Sequence, residues 1–186
     1  KDIMAIRERT SWPKFIEVSL GKSKKIVESI SILKGGLPVH VAVQSTDDKV
    51  IESVNRRNIP AQAQIDIIKK SDNFGGTSFA EVILCLPEDT KEKHFKSMFD
   101  MIDAGVNVVR CHQLLMLPDS DMNTEKYRKK YGMKTRYRIQ PKCFQNYEFE
   151  GESFPCAEID ELCVANNTLS YEDYLECRFL NLTVEL

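Results

Sequence analysis

The chain has 186 residues, 42% of them hydrophobic, enough for one packed domain and too apolar for wholesale disorder. With 26 Lys and Arg against 28 Asp and Glu, its formal net charge is -2, so no overall positive field recruits nucleic acid or an anionic membrane. No apolar run reaches the ~20 residues of a membrane span. The opening from Lys1 carries no signal-peptide pattern, and none of the six cysteines forms a C-x-x-C pair. A cytoplasmic chain with reduced thiols is expected.

Residues 2–9 read as a helix broken at Pro13, and residues 14–18 as a short strand. Ser23 caps a helix with Ile26, Val27, Ile30 and Leu33 on one face, ended by Gly35-Gly36. Residues 39–43 form the next strand. Ser45 and Asp48 have capping-box spacing and open a helix that buries Val50, Ile51 and Val54 and ends on Arg56-Arg57. Pro60 starts a further helix, with Ala61, Ile65 and Ile68 inward.

Residues 79–86 form a strand whose run from Val82 to Leu86 is continuously apolar, as for a strand covered on both faces. Its exit, Leu86-Pro87-Glu88-Asp89-Thr90, offers Asp89 or Thr90 as N-cap to a helix with Phe95, Met98, Phe99 and Ile102 inward. His94 is expected to be exposed on that helix. Gly105 ends it, and residues 106–111 form the fourth strand, extended by residues 114–117. Cys85 and Cys111, at strand ends, read as buried small hydrophobes.

Residues 121–186 break this rhythm. They read as a basic helix, a strand pair near residues 136–140 and 147–150, a strand near 158–164 and a helix from Tyr171. Residues 126–142 hold eight Lys or Arg and no acid, whereas residues 151–186 hold eight acids and one base, Arg178. A solvated basic face that meets the acidic tail is the favoured reading, and nucleic acid is not expected despite Tyr127, Tyr131 and Tyr137. The fold class is α/β. Residues 1–120 are expected to form a partial, open βα barrel of about four parallel units, and residues 121–186 an α+β extension packed on it. A closed eight-unit barrel needs roughly 250 residues. The uncapped first helix and unstopped last one favour a part excised from a larger domain.

Parallel α/β folds bind ligands outside the carboxyl ends of their strands. The candidates there are Ser19, Gln44, Ser45, Glu81, Arg110, His112 and Gln113, with Arg56 or Arg57 from a helix end. Gln44 can donate and accept toward a hydroxylated ligand or cap the next helix. Glu81 stands in a segment expected to be buried, where a carboxylate is costly unless paired. It could hold ribose hydroxyls, a metal or an arginine, Arg56 or Arg110. Of Arg56 and Arg57, one offsets the negative helix terminus and the other could clamp a carboxylate. His112 is the one plausible catalytic imidazole. No P-loop, G-x-G-x-x-G, H-E-x-x-H or G-x-S-x-G is present.

Three pieces, VQSTDD (43–48), VNRRN (54–58) and EVILCLPEDT (81–90), together resemble the radical S-adenosylmethionine enzymes. Gln44 lies 12 residues before Arg56 and 37 before Glu81, as in well-described members. RRNI, MIDAGVN (101–107), YGMKTRYRI and TLSYEDYLECR are most like the cobalamin-domain-containing group. The resemblance implies that Gln44 and Glu81 hold the ribose of S-adenosylmethionine and Arg56 its methionine carboxylate, leaving Arg57 a helix-end role. Glu17 falls near another cofactor-contacting acid, and Ser19 and His112 join the cofactor-binding candidates. The chain departs from the family in lacking C-x-x-x-C-x-x-C and in placing Cys85 where the G-L-P exit has glycine.

The resemblance therefore implies the second half of a radical barrel. The 4Fe-4S cluster ligands lie outside this chain, and its partner is the N-terminal half of the same protein. A D-x-H-x-x-G further upstream would add cobalamin. Residues 1–186 alone are expected to hold no cluster and no radical activity, and the substrate is open. Two rival readings are a non-catalytic α/β binding domain with Gln44, Arg56 and Glu81 as a structural cluster, and a metal- or sugar-phosphate-binding barrel using Glu81 and His112. Glu81 projecting into the open face toward Gln44 and Arg56 favours the radical-enzyme reading, and Glu81 pointing outward under the helices favours the non-catalytic domain.

Overall fold

The computed structural model describes residues 2–14, 16, 25–33, 36–55, 66, 68, 69 and 77–185. Helices α1 (Asp2–Thr10) and α2 (Lys25–Leu33) precede strand β1 (Val39–Gln44), helix α3 (Asp48–Ser53) and strand β2 (Ser78–Leu84). Helix α4 (Lys91–Asp103), strand β3 (Val108–Gln113) and helix α5 (Glu125–Tyr131) follow, then a long ribbon of β4 (Lys134–Phe149) and β5 (Glu152–Ala165), and helix α6 (Tyr171–Glu185). Strands β1, β2 and β3 form a parallel sheet in that order, and β4 pairs antiparallel with β5.

This is a mixed α/β fold, and among the described residues three of the expected parallel strands form the sheet and no closed barrel is seen. Most of the expected strand at 14–18 lies outside the described residues, and Lys14 is a bend. The helix expected from Pro60 is described only at Asp66, Ile68 and Lys69, which are helical, with Ile68 fully buried. The Ser23 cap and Arg56-Arg57 also lie outside.

The expectation that β2 is covered on both faces is corrected. Burial along it alternates, with Ala80, Val82 and Leu84 inside and Phe79, Glu81 and Ile83 only half-buried. The inner set packs with Val43, Val50, Met98 and Met101 in one core. Fully burying such side chains contributes about 1.5–3 kcal/mol each. Helix α4 therefore turns His94, Ser97, Met98 and Met101 inward. Phe99 and Ile102, expected inside, are 48% and 43% exposed. His94, expected outside, is buried.

One cap differs from expectation: Asp47, not Ser45, caps α3 by accepting from the Val50 N–H, whereas Thr90, one of the two expected residues, caps α4 by accepting from the Lys93 N–H. At the end of α5, Gly132 adopts φ 58°, and a Cβ there would stand 2.0 Å from Asn167 Oδ1, so a side chain would be strained and would have to displace the Asn167 amide.

The region after β3 returns to the sheet. A bridge joins Leu115 to Leu162, Leu114 accepts from the Cys163 N–H, and Leu162, Cys163 and Val164 enter the core. The segments expected near 136–140 and 147–150 belong to one strand, β4, broken by a bulge, and both face β5. Arg128 binds Glu161, and Arg138 binds Asp160, so the basic run does meet the acidic tail. Helix α6 then packs on α4 and β3, completing a third βα unit around the ribbon excursion.

Where α4, α6 and the β2 exit meet, polar groups are buried. His94 Nε2 lies 2.9 Å from Asn181 Oδ1, and Asn181 Nδ2 donates to Cys111 Sγ at 2.7 Å. Burial holds His94 below its ordinary pKa, so its ring is neutral. With Nε2–H donating to Asn181, Nδ1 carries a lone pair toward Asp89 Oδ2, 3.8 Å away. Asp89 is itself buried, its Oδ1 meets no hydrogen-bond partner among the described residues, and burial pushes its pKa up to about 7 against the opposing pull of backbone hydrogen bonds at Cys85 and Thr90 and of Lys93.

Ionised Asp89 therefore opposes folding. The penalty is absent below the unfolded pKa of about 4. It builds as pH rises and is complete above about 7. Its full size is on the order of 4 kcal/mol. Asp89→Asn should raise the melting temperature at pH 8 by several degrees and change it little at pH 4. Equal shifts at the two pH values would show that the carboxyl does not titrate inside the fold.

Candidate functional site

The described helices pack on one side of the parallel sheet. The other side presents the alternate residues: His40 and Ala42 on β1, Phe79, Glu81 and Ile83 on β2, and Val108, Arg110 and His112 on β3, held in adjacent rows by the register. His40 stacks on Phe79 with ring centroids 5.0 Å apart and planes 9° apart, and the Arg110 guanidinium lies over the other strand flank of that ring at 5.1 Å. Nearer the strand exits, His112 Nε2 stands 3.5 Å from Glu81 Oε1.

Glu81 is therefore not a deeply buried charge. Its side chain is 38% exposed and that of His112 53%, a pairing worth at most about 1 kcal/mol. Of the open alternatives for Glu81, pairing with Arg110 is not seen, because Arg110 stacks on Phe79 while His112 faces Glu81. Glu81 thus stands on the exposed side of the sheet, facing His112, and Arg56 lies outside the described residues.

The rims of β1 and β2 are strained. Gln44 has φ 62° and Cys85 φ 72°, the left-handed region that non-glycine residues avoid at a cost of about 1–3 kcal/mol. At Gln44 the β1–β2 register also breaks. Its side chain is buried, and Oε1 meets no hydrogen-bond donor among the described residues. A buried amide oxygen left unpaired costs about 1–3 kcal/mol, so strain and an orphaned acceptor coincide at the mouth of β1.

Other candidates have structural work. Ser45 Oγ lies 3.3 Å from Ser97 Oγ and accepts from the Asp47 N–H, fixing the turn into α3. Gln113 donates to the Tyr174 hydroxyl and accepts from Arg138. Glu17, Ser19, Arg56 and Arg57 lie outside the described residues. Sequence reasoning missed Asn166 and Thr168. Asn166 Nδ2 donates to the Leu86 carbonyl at 3.0 Å and Thr168 Oγ1 to that of Asp89 at 2.6 Å, so they hold the β2 exit turn. The A-N-N-T run before α6 was the signal, since Asn and Thr favour such side-chain turns.

A cleft of about 590 Å³ runs along the outer edge of β3, lined by residues 107–112 and Val184. Among the described residues, no group of His, Cys, Asp and Glu is arranged to hold a metal ion, and no helix is long and apolar enough to cross a membrane. The six cysteines are free thiols.

No family model matches the chain. It is 24% identical over 180 residues, 92% of its length, to the 2-(S-pantetheinyl)-carbapenam-3-carboxylate methyltransferase of Streptantibioticus cattleyicolor. It is 27% identical over 96 residues, 51% of its length, to the cobalamin-dependent radical SAM methyltransferase TokK of Streptomyces tokunonensis. The aligned parts cover 25% and 14% of those proteins, so the chain spans about a quarter of the longer match or less. The chain is thus distantly similar to two methyltransferases, one of which is named as a cobalamin-dependent radical SAM enzyme.

Proposed function

We propose that the chain is part of a radical S-adenosylmethionine methyltransferase and supplies the ribose-side wall of its cofactor cleft. The observation that carries this reading is the orphaned Gln44 Oε1 at the strained mouth of β1, one strand from Glu81 on the open sheet face. The two suit the ligand. A carboxylate and an amide oxygen are hydrogen-bond acceptors, and ribose hydroxyls are donors.

Gln44 and Glu81 would each accept from a ribose hydroxyl, and Arg56 would bind the methionine carboxylate bidentately. S-adenosylmethionine, bound at a 4Fe-4S cluster whose ligands lie outside this chain, supplies the radical chemistry. Cobalamin, as TokK's name states for that enzyme, would be carried by another part of the same protein. The neighbouring half of the barrel is the partner, the compartment is the cytoplasm, where six free thiols stay reduced, and the substrate is a small molecule.

Within this wall the protein's own residues position the ligand. The β1 and β2 exits are fixed from behind, Gln44 by the Ser45–Ser97 contact that follows it and Cys85 by Asn166. A preformed wall reduces the ordering cost of binding.

S-adenosylmethionine should raise the melting temperature of the chain, and calorimetry should give a Kd that Glu81→Gln weakens about 10- to 100-fold. Gln44→Asn separates structure from binding. Asn tolerates left-handed backbone better and loses one methylene, about 0.8 kcal/mol of burial. It should melt within a few degrees of wild type yet bind the ligand about 10-fold less tightly. Unchanged affinity in both variants would remove the cofactor reading. A second check is spectroscopic: the chain purified alone should show no iron–sulfur absorbance, and a cluster band lost on mutating only its own cysteines would contradict the proposed division of labour.

A further inference from the structure

The ribbon of β4 and β5 has no part in the cofactor cleft. Its strands close through the two-residue turn Glu150-Gly151, with φ 51° and 84°, the pair of left-handed residues that a tight hairpin needs. The register pairs Tyr137 with Glu161, Ile139 with Ile159 and Phe144 with Ala157, and the bulge sets residues 140–143 opposite Glu158 alone. Directly opposed residues share a face, and alternate residues of β5 do so too, so the bulge returns Phe144 to the face of Ile139. Tyr137, Ile139, Phe144 and Ile159 therefore form one apolar row, each of them 60–71% exposed.

A two-stranded ribbon is marginally stable in water by itself, and residues 144–155 are all exposed. An apolar row in such a place marks an interaction surface, and the charges around it select what covers it. Residues 143–157 hold three acids, Glu148, Glu150 and Glu152, and no base. At the root of the ribbon, residues 126–138 hold seven Lys or Arg and no acid. Arg128 of α5 binds Glu161, on the face of the apolar row, so α5 flanks that face at its root. Lys129 pairs with Glu125, whereas Lys126 and Lys130 are exposed and pair with no carboxylate among the described residues.

The ribbon is thus acidic at its tip, apolar at its middle and basic at its root. Turned end for end, it complements itself, as a two-fold interface requires. We propose that two copies of this chain dimerise about a two-fold axis at the middle of the ribbon, apolar row on apolar row, with the acidic tip of each ribbon against the basic α5 of the other protomer. The spans agree. From Glu158, opposite the bulge, the turn at Gly151 and the strand end at Ala165 are each seven residues away, roughly 23 Å at the rise of a strand. Helix α5 ends beside that root, where the Asn167 N–H donates to the Tyr131 carbonyl. A parallel arrangement would instead set acids on acids and bases on bases. Covering four such side chains on each copy, at roughly 100 Å² apiece, together with the charged ends, buries on the order of 1,000 Å², the lower bound of a specific interface. The dimer does not depend on how the cofactor binds.

Sedimentation velocity of the full chain over about 1–100 μM tests this, and a monomer that converts to a dimer with a micromolar Kd is expected. Ile139→Lys, at an exposed position, should weaken the dimer about 10-fold or more and leave the melting temperature within a few degrees of wild type. Two charge reversals read the orientation. Glu148→Lys with Glu150→Lys, and separately Lys126→Glu with Lys130→Glu, should each self-associate about 10-fold more weakly. An equimolar mixture of the two variants should recover wild-type association, because both ends of the mixed dimer then join opposite charges. A chain that stays monomeric across the range overturns the proposal and leaves the ribbon to a different partner. A dimer untouched by Ile139→Lys overturns it as well, as do charge variants whose mixture associates no better than either alone.

Discussion

The molecule depends on a sheet sealed on one face only. Ala80, Val82 and Leu84 pack against Met98 and Met101, and that layer is where β2, α4 and the returning α6 share their apolar surface. Because the strand period is two, burying this row commits the alternate row to the opposite side. Glu81, Arg110 and His112 are brought together there without any contact having to be made for their own sake. A register slip by one residue would place Glu81 among the methionines and Val82 in solvent, a cost far above any surface ion pair.

The helix layer behind the sheet is less apolar than its position suggests. Asp89, His94, Ser97 and Asn181 are all buried in it. Their hydrogen bonds join α4 to α6 and reach Cys111 on β3 and Thr46 in the turn after β1. A satisfied network of this kind fixes the relative placement of helices more sharply than methyl packing does. Its weak points are the unpartnered Asp89 oxygen and the strained exits at Gln44 and Cys85, all within a few residues of the candidate cleft. Backbone strain and unpaired buried atoms are thus concentrated at the exits of β1 and β2.

The parallel strands were legible because the apolar runs around Val41, Val82 and Val109 are short and bounded by Gly, Asn or Pro. The orientation of α4 was not. Its sequence carries two overlapping apolar stripes at helical spacing, the expected one through Phe95, Met98, Phe99 and Ile102 and the buried one through His94, Met98 and Met101. Hydrophobicity alone favours the first. The second wins because His94 and Ser97 find buried partners on Asn181 and Ser45 that lie far away in the chain. The ribbon was read as fragments because its exposed, mixed composition between Gln140 and Cys143 conceals a bulge rather than a strand end. Of the candidate site, the positions of Gln44 at the exit of β1 and of Glu81 on β2 were legible. The open setting of Glu81 and its pairing with His112 were not, since an apolar run does not reveal which face stays uncovered.

The central claim is that the open face of this sheet and the mouth of β1 form a ribose-binding wall. A crystal structure of the chain with S-adenosylmethionine tests it most directly. The account predicts ribose hydroxyls within hydrogen-bonding distance of Gln44 Oε1 and the Glu81 carboxylate, with the Glu81–His112 contact of 3.5 Å lengthened or shared. A ligand seated instead in the apolar groove between α4 and α6, beside Phe95 and Phe179, with Gln44 Oε1 still unpartnered, would contradict it.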